Sequence, residues 1–215
     1  MNMKKILHIV GARPQFIKVN VVIKFIEKKN KKIKNFLFHT GQHYDDNMSK
    51  IFFNELKIKK PHFNLNLKKE KNRLKNIAKM ILAISNVIDK LKPQMILAYG
   101  DTDSTMAAAI TARKKNIKLI HIEAGMRSFD IKMPEEQNRL ITDKLSDYYI
   151  TVSKDSTNNL KKEGVKKNQI FEYGDVMYDS LLYYKKKNIF KDKNSKKKPY
   201  AFFTIHRDSN QTTKL

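Results

Sequence analysis

Strand-length apolar runs alternate with helix-length amphipathic segments along nearly the whole chain, and that alternation limits the fold to a parallel sheet wrapped by helices. Ile6–Val10, Phe36–His39, Met95–Tyr99, Leu119–Ile122 and Tyr148–Val152 read as buried strands, with a weaker one at Ile170–Tyr173. Between them Phe16–Glu27, Asp46–Leu56, Asn76–Leu91, Ser104–Lys114, Glu135–Leu145, Ser153–Glu163 and Val176–Tyr184 carry apolar residues at three-to-four spacing, the period of a helix with one buried face. Local chemistry sets some boundaries. Ser153 is a helix-capping residue type, Gly164 suits a left-handed stop, and Pro93 ends the long helix before the Met95 strand. The expectation is an α/β, doubly wound parallel sheet without internal repeats.

In such a sheet, ligands bind beyond the carboxyl ends of the strands. The polar residues of this chain gather there: Gly11-Ala12-Arg13-Pro14 and Lys18 after the first strand, His39-Thr40-Gly41-Gln42-His43 after the second, and Gly100-Asp101-Thr102 after the third. Glu123-Ala124-Gly125-Met126-Arg127 follows the fourth and leads into Pro134-Glu135-Glu136-Gln137-Asn138-Arg139, while His206-Arg207 follows a last apolar run. Arg13 with Lys18 one turn inside a helix suits an anionic ligand at a helix N-terminus. Asp101 fits either a helix cap or a reacting carboxylate. Glu123 directly ends an apolar run, so partial burial with a raised pKa is expected, which suits a general acid or base. Glu135 and Glu136 complement a helix dipole, and one of them is free to face the cleft. Arg139, four residues after Glu135, is open to an internal ion pair or to substrate. His121 reads as a satisfied core histidine. A metal site drawn from His39, His43, His121 and Glu123 lacks helical ligand spacing, and none is expected.

The formal charge of +24 normally points to nucleic acid or an anionic membrane. Only six of the 45 basic residues are arginine, and the lysines accompany Asn and Ile throughout, so the charge reads as a solvated surface and no nucleic-acid partner is expected. No stretch approaches the ~18 apolar residues of a membrane span, and the chain has no cysteine, which excludes disulfides and fits a soluble protein of the reducing cytoplasm.

The strings Gly11-Ala-Arg-Pro-Gln-Phe-Ile-Lys18, Gly41-Gln-His43, Gly100-Asp-Thr102, His121-Ile-Glu-Ala-Gly-Met-Arg127, Pro134-Glu-Glu-Gln-Asn-Arg139, Glu163-Gly164 and Thr204-Ile-His-Arg207, in this order, resemble the non-hydrolysing UDP-N-acetylglucosamine 2-epimerases. The resemblance implies two Rossmann-like domains facing across a cleft, the GT-B-type arrangement also used by a class of glycosyltransferases. On that reading, residues 1–184 form the N-terminal domain, 185–198 a lysine-rich linker, and 199–215 the first strand of a second, nucleotide-binding domain. The rest of the nucleotide grip would lie beyond this chain, leaving it inactive alone.

It further implies inversion at C2 of UDP-N-acetylglucosamine, for cell-surface polysaccharide precursors, by a homodimeric enzyme. That carbon has no neighbouring carbonyl to acidify its hydrogen, so the family eliminates UDP to a glycal and adds it back, with no metal or other cofactor. Asp101, Glu123 and Glu135 would be the acid and base candidates, Lys18 and Arg13 the cations at the diphosphate, and His206 a contributor from the second domain. Gln42, His43, Thr102, Arg139 and Arg207 would bind substrate. Tyr44-Asp45 and Lys71-Asn72 depart from residues that some members use for an activating second substrate molecule, and Ser128–Met133 is shorter than in several members. Other readings of the same residues are a hydrolysing or diacetamido-uronate 2-epimerase, a glycosyltransferase of the same architecture, and a non-catalytic basic binding protein.

Overall fold

The computed structural model describes residues 3–41, 58–67, 70–187 and 201. Its centre is one seven-stranded, all-parallel sheet made of β1 (Lys4–Val10), β2 (Ile33–His39), β3 (Phe63–Asn64), β4 (Met95–Tyr99), β5 (Lys118–Ala124), β6 (Tyr148–Thr151) and β7 (Ile170–Glu172). The strand order is β3-β2-β1-β4-β5-β6-β7, so the chain winds outward from the middle twice, in opposite directions. The two halves meet where β1 lies beside β4, with Ile6 opposite Met95 and Ile9 opposite Ala98. Such a reversal opens a crevice beyond the strand ends.

The helices are α1 (Arg13–Lys29), α2 (Arg73–Leu91), α3 (Asp103–Lys114), α4 (Pro134–Leu145), α5 (Lys154–Lys162) and α6 (Val176–Lys186). The central strands are buried on both faces and mostly apolar, because each face meets helices. Along β4, Ile96 and Ala98 join the cluster of Leu7, Ile9, Met80, Ile84 and Leu119 under α2 and α3, whereas Leu97 and Tyr99 join Val10, Phe16, Val19 and Tyr184 under α1 and α6. In α3 the buried face is Ala107, Ala108, Ala109 and Ala112, small enough for α2 and α4 to pack closely on either side of it.

The expected strands and helices are found wherever residues are described, with shifted ends. Helix α2 begins at Arg73 rather than Asn76, because Asn72 caps it by accepting a hydrogen bond from the Lys75 amide at 3.1 Å. Lys92 then closes it in a left-handed conformation just before Pro93. Ser153 caps α5, and Gly164 follows its end at φ +85°. The two-residue β3 was not expected, since a run that short has no readable periodicity. The expected helix Asp46–Leu56 lies outside the described residues, as does the run Tyr200–Ile205 except for Ala201.

Candidate active site

The β1–β4 crevice is held shut at its base by Gln15, which is buried. Its Oε1 accepts from the amides of Gly11 at 2.7 Å and Ala12 at 2.9 Å, satisfying N–H groups left over at the start of α1. Its Nε2 donates to the Tyr99 carbonyl, to Thr102 Oγ1 at 3.1 Å and to Thr105 Oγ1 at 3.2 Å. One amide side chain therefore ties the loop after β1 to the loop after β4. Gly11 sits so close to the neighbouring strand end that a Cβ there would lie 1.9 Å from Ser104 Oγ and 2.5 Å from Thr40 Oγ1. The two hydroxyls are themselves 2.7 Å apart.

Two ion pairs stand above this base. Lys18 Nζ, on the second turn of α1, lies 2.6 Å from Glu123 Oε2 at the end of β5, and both side chains are only 12% exposed. Glu123 is the outlier of the strand, with φ +74° at a bulge where the pairing with β6 slips between Ile122 and Ala124. A non-glycine residue at positive φ costs about 1–3 kcal/mol and persists only where its surroundings impose it. The second pair joins Asp101, in the turn after β4, to the guanidinium of Arg139 on α4. The two carboxylates belong to adjacent loops: a Cβ on Gly100, the neighbour of Asp101, would be 3.2 Å from Glu123 Oε2.

Helix α4 anchors the Asp101 turn. Asn138 Nδ2 donates to the Asp101 carbonyl at 2.8 Å and to Asp103 Oδ1 at 3.1 Å, and Arg73 closes on the same Asp103 carboxylate. Glu136, 2% exposed, accepts from the Ser128 amide at 2.9 Å, the Phe129 amide at 3.2 Å and Arg139 Nη1 at 3.1 Å. Burial would raise its pKa, yet these donors hold it below the usual carboxylate range. Glu136 thus folds the short Ser128–Met133 loop back onto α4.

Several expectations change in detail. The cap of α3 is Thr102, which accepts from the Thr105 amide at 3.3 Å, so Asp101 is left for Arg139. Arg139 pairs with Asp101 and Glu136 rather than with Glu135 across one helical turn. Glu135 is exposed on the first turn of α4, with its charge felt by Arg73. Arg13 opens α1 and is half-buried. Gln42, His43, His206 and Arg207 lie outside the described residues. Reading the sequence gave no separate role to Gln15, Asn138 and Asp143, and of the pair Glu135 and Glu136 it is Glu136 that turns inward, onto the Ser128 and Phe129 amides. Gln15 had a signal, since it stands three residues after the Ala12 cap position, where Gln reaches back to free amides.

His121 is fully buried, as expected, but between charged and polar partners: Nδ1 is 2.6 Å from Asp143 Oδ1 and Nε2 is 2.7 Å from the Gly100 carbonyl. Asp143 also holds Arg127 at 2.8 Å, and Arg127 holds Glu163 at 2.7 Å. The His121-to-Arg127 and Glu163-Gly164 strings thereby meet in one network.

Comparison with known proteins agrees with this fold. Residues 26–215 match the family described as UDP-N-acetylglucosamine 2-epimerase. A UDP-N-acetylglucosamine 2-epimerase homolog from Methanococcus maripaludis is 47% identical over 98% of this chain and 59% of its own length. The UDP-2,3-diacetamido-2,3-dideoxy-D-glucuronate 2-epimerase of Pseudomonas aeruginosa is 41% identical over 96% of this chain and 58% of its own. Among solved structures, the Methanocaldococcus jannaschii UDP-GlcNAc 2-epimerase in complex with UDP-GlcNAc and UDP superimposes with a TM-score of 0.82 at 39% identity, over 87% of this chain and 51% of that one. The chain therefore spans between one half and three fifths of these relatives. With its family model matched over most of its length, the chain belongs to the UDP-N-acetylglucosamine 2-epimerase family.

Proposed function

We propose that this chain carries the proton-transfer half of an active site that epimerises UDP-N-acetylglucosamine at C2 by eliminating UDP and adding it back. The observation that carries the proposal is the placing of two carboxylates, Glu123 and Asp101, on adjacent strand ends at the crevice, each already paired with a cation. Elimination requires a base for the C2 proton while the C1–O bond to UDP breaks. Re-addition requires a proton delivered to the opposite face of the resulting glycal. Two carboxylates on two loops supply groups for both faces. Lys18 and Arg13 offer charge to the departing diphosphate, which lowers the barrier most where water is excluded. Glu135, at the exposed mouth, is the third proton-transfer candidate. Gln42, His43, Thr102, Arg139, His206 and Arg207 are assigned to substrate on the family pattern. A second domain across the cleft, a homodimer and a cytoplasmic setting belong to the same proposal, and among the described residues no helix is long and apolar enough to cross a membrane.

The test is to follow UDP-N-acetylglucosamine by NMR in heavy water, with the 215-residue chain and with the same chain fused to the remaining part of its Methanococcus maripaludis relative. The expected result is formation of the manno epimer with deuterium at C2 in the fusion. No turnover in either protein would defeat the proposal. Faster turnover of the diacetamido-glucuronate nucleotide, run in parallel, would move the substrate assignment to the sugar named for the Pseudomonas relative.

A further inference from the structure

We propose that His121 and Asp143 are positioning residues that lock the Asp101 turn and the Glu123 bulge in one fixed register. The inference rests on the functional reading above, in which those two carboxylates serve one substrate. Neither residue faces the crevice: their side chains are 0% and 2% exposed. What they touch is the backbone on either side of the candidate carboxylates. His121 Nε2 is 2.7 Å from the carbonyl of Gly100, which directly precedes Asp101. Asp143 Oδ2 accepts from the amide of Gly125 at 3.0 Å, two residues beyond Glu123. One carboxylate on α4 thus reaches the end of β5 directly and the end of β4 through the imidazole.

Both anchored segments need holding. Gly100 has φ +65°, Glu123 +74° and Gly125 +77°, so three positions in two adjoining turns depart from the strand conformation, one of them with a side chain that disfavours it. A Cβ at Gly125 would lie 2.2 Å from the Ser156 carbonyl, which leaves the bulge no room to slip toward α5. Strain at Glu123 persists only if its surroundings over-determine it, and Asp143 holds the Gly125 side of the bulge directly and the Gly100 turn through His121.

The partners also fix the protonation of the ring. A peptide carbonyl only accepts, and an ionised carboxylate only accepts, so His121 must donate from both nitrogens and is an imidazolium. Burial alone would lower its pKa, but the Asp143 charge and hydrogen bond, with the Gly100 carbonyl and the Glu123 charge, raise it. Asp143 is held below the usual carboxylate range against its burial by His121 and Arg127. Beside the ionised Asp143 a neutral ring would give up one of the two bonds and let one turn drift. Because a displacement of about 1 Å costs up to ~100-fold in rate, such drift has a kinetic signature.

The experiment has two arms. In the 215-residue chain labelled uniformly with 15N, the His121 ring should carry protons on both nitrogens at a pH above the ordinary ~6.5 of an imidazole. In Asp143→Asn the amide can still accept from Gly125 and donate to a neutral ring, so the fold is expected to persist, but charge-assisted bonds become neutral ones of about half the strength, the hold on both turns loosens, the imidazolium is lost and the Gly125 and Asp101 amide signals shift. In the fusion that epimerises, Asp143→Asn and His121→Gln should each lower kcat about 10- to 100-fold with KM changed by less than about twofold, and the double variant should lose little more than either single one, because the two act as a unit. A wild-type ring with a single proton overturns the proposal, and so does an Asp143→Asn variant that keeps wild-type kcat, or a double variant whose losses multiply. Should the variants not fold, the wild-type ring spectrum still decides. A wild-type fusion that does not epimerise counts against the functional reading and leaves the ring and amide signals to judge the positioning.

Discussion

Lys18 reaches from the second turn of α1 to place its ammonium 2.6 Å from a carboxylate oxygen of Glu123, whose backbone stands at φ +74°. Ion pair and strain oppose each other: the pair stabilises a carboxylate that water reaches poorly, while the bulge costs free energy to hold. Their separation is testable by urea unfolding. Glu123→Gly removes both the pair and the strain, Glu123→Ala removes only the pair, so the glycine variant should be the more stable of the two by about 1 kcal/mol. Equal stability would mean that the left-handed backbone at this position costs nothing.

Gln15 should tolerate no isosteric replacement. Its Oε1 receives two amides and its Nε2 gives to three oxygens, so Gln15→Glu turns the donor end into a second acceptor facing the Tyr99 carbonyl and two threonine hydroxyls. The expected loss is about 2–3 kcal/mol in chemical denaturation, the cost of buried polar groups left without partners. Gln15→Glu with wild-type stability would show that the two loops do not depend on this bridge.

Much of this arrangement could be read beforehand, for a physical reason. Periodicity reports which face of a segment is buried, and so the alternating strands and helices, the polar residues at strand ends and the internal position of His121 were all legible. The acid ending the Leu119–Ile122 run announced Glu123. Its positive φ did not show, because backbone conformation at a bulge is imposed by the neighbouring strand. Arg139 showed the opposite limit: spacing suggested Glu135 as its partner, whereas topology brings Asp101 from another loop within reach. Asp143 lies in a helix segment with nothing unusual in its surroundings along the chain, and only the packing of α4 against β5 gives it meaning.

Stability should fall in mild acid. Burial pulls His8 down to about 4, opposed by its hydrogen bond with Asn35, and pulls His39 down to about 4 as well, opposed by a hydrogen bond with Gly11. In the unfolded chain both titrate near the ordinary 6.5. Between those values the unfolded state binds more protons, so the contribution is complete above about pH 6.5 and is lost as pH falls toward 4, by about 3 kcal/mol for each histidine. His121 has the opposite sign, its contribution being present below 6.5 and lost only as pH rises through its raised value. Urea midpoints at about pH 7.5, 6 and 5 should therefore fall steadily, with a shallower slope in His8→Gln. A flat profile would show that the two imidazoles are not held neutral.

Asp101 should matter to chemistry more than to folding. It sits in a turn whose carbonyl is held by Asn138 at 2.8 Å, so the loop is anchored through its backbone and does not need the side chain to keep its shape. Its carboxylate is one-third exposed and paired with Arg139, which is in turn fixed by Glu136 at 3.1 Å. Asp101→Asn preserves the size of the group and can still accept from Arg139 through its amide oxygen, but it cannot take up a transferred proton. In the epimerising fusion kcat should drop by about 10²- to 10⁴-fold, the usual worth of a positioned acid or base, with the urea midpoint close to wild type. Arg139→Ala should have a milder effect on kcat while destabilising the turn, because it leaves both Asp101 and the buried Glu136 short of a donor. The isotope carries the mechanism: product formed in heavy water should hold one deuterium at C2, and substrate recovered late in the reaction should hold it too, since the addition of UDP to the glycal runs both ways. Product without deuterium would mean that the C2 hydrogen never reaches a group that exchanges with water. Near wild-type turnover of Asp101→Asn would leave Glu123 and Glu135 as the pair that handles the proton.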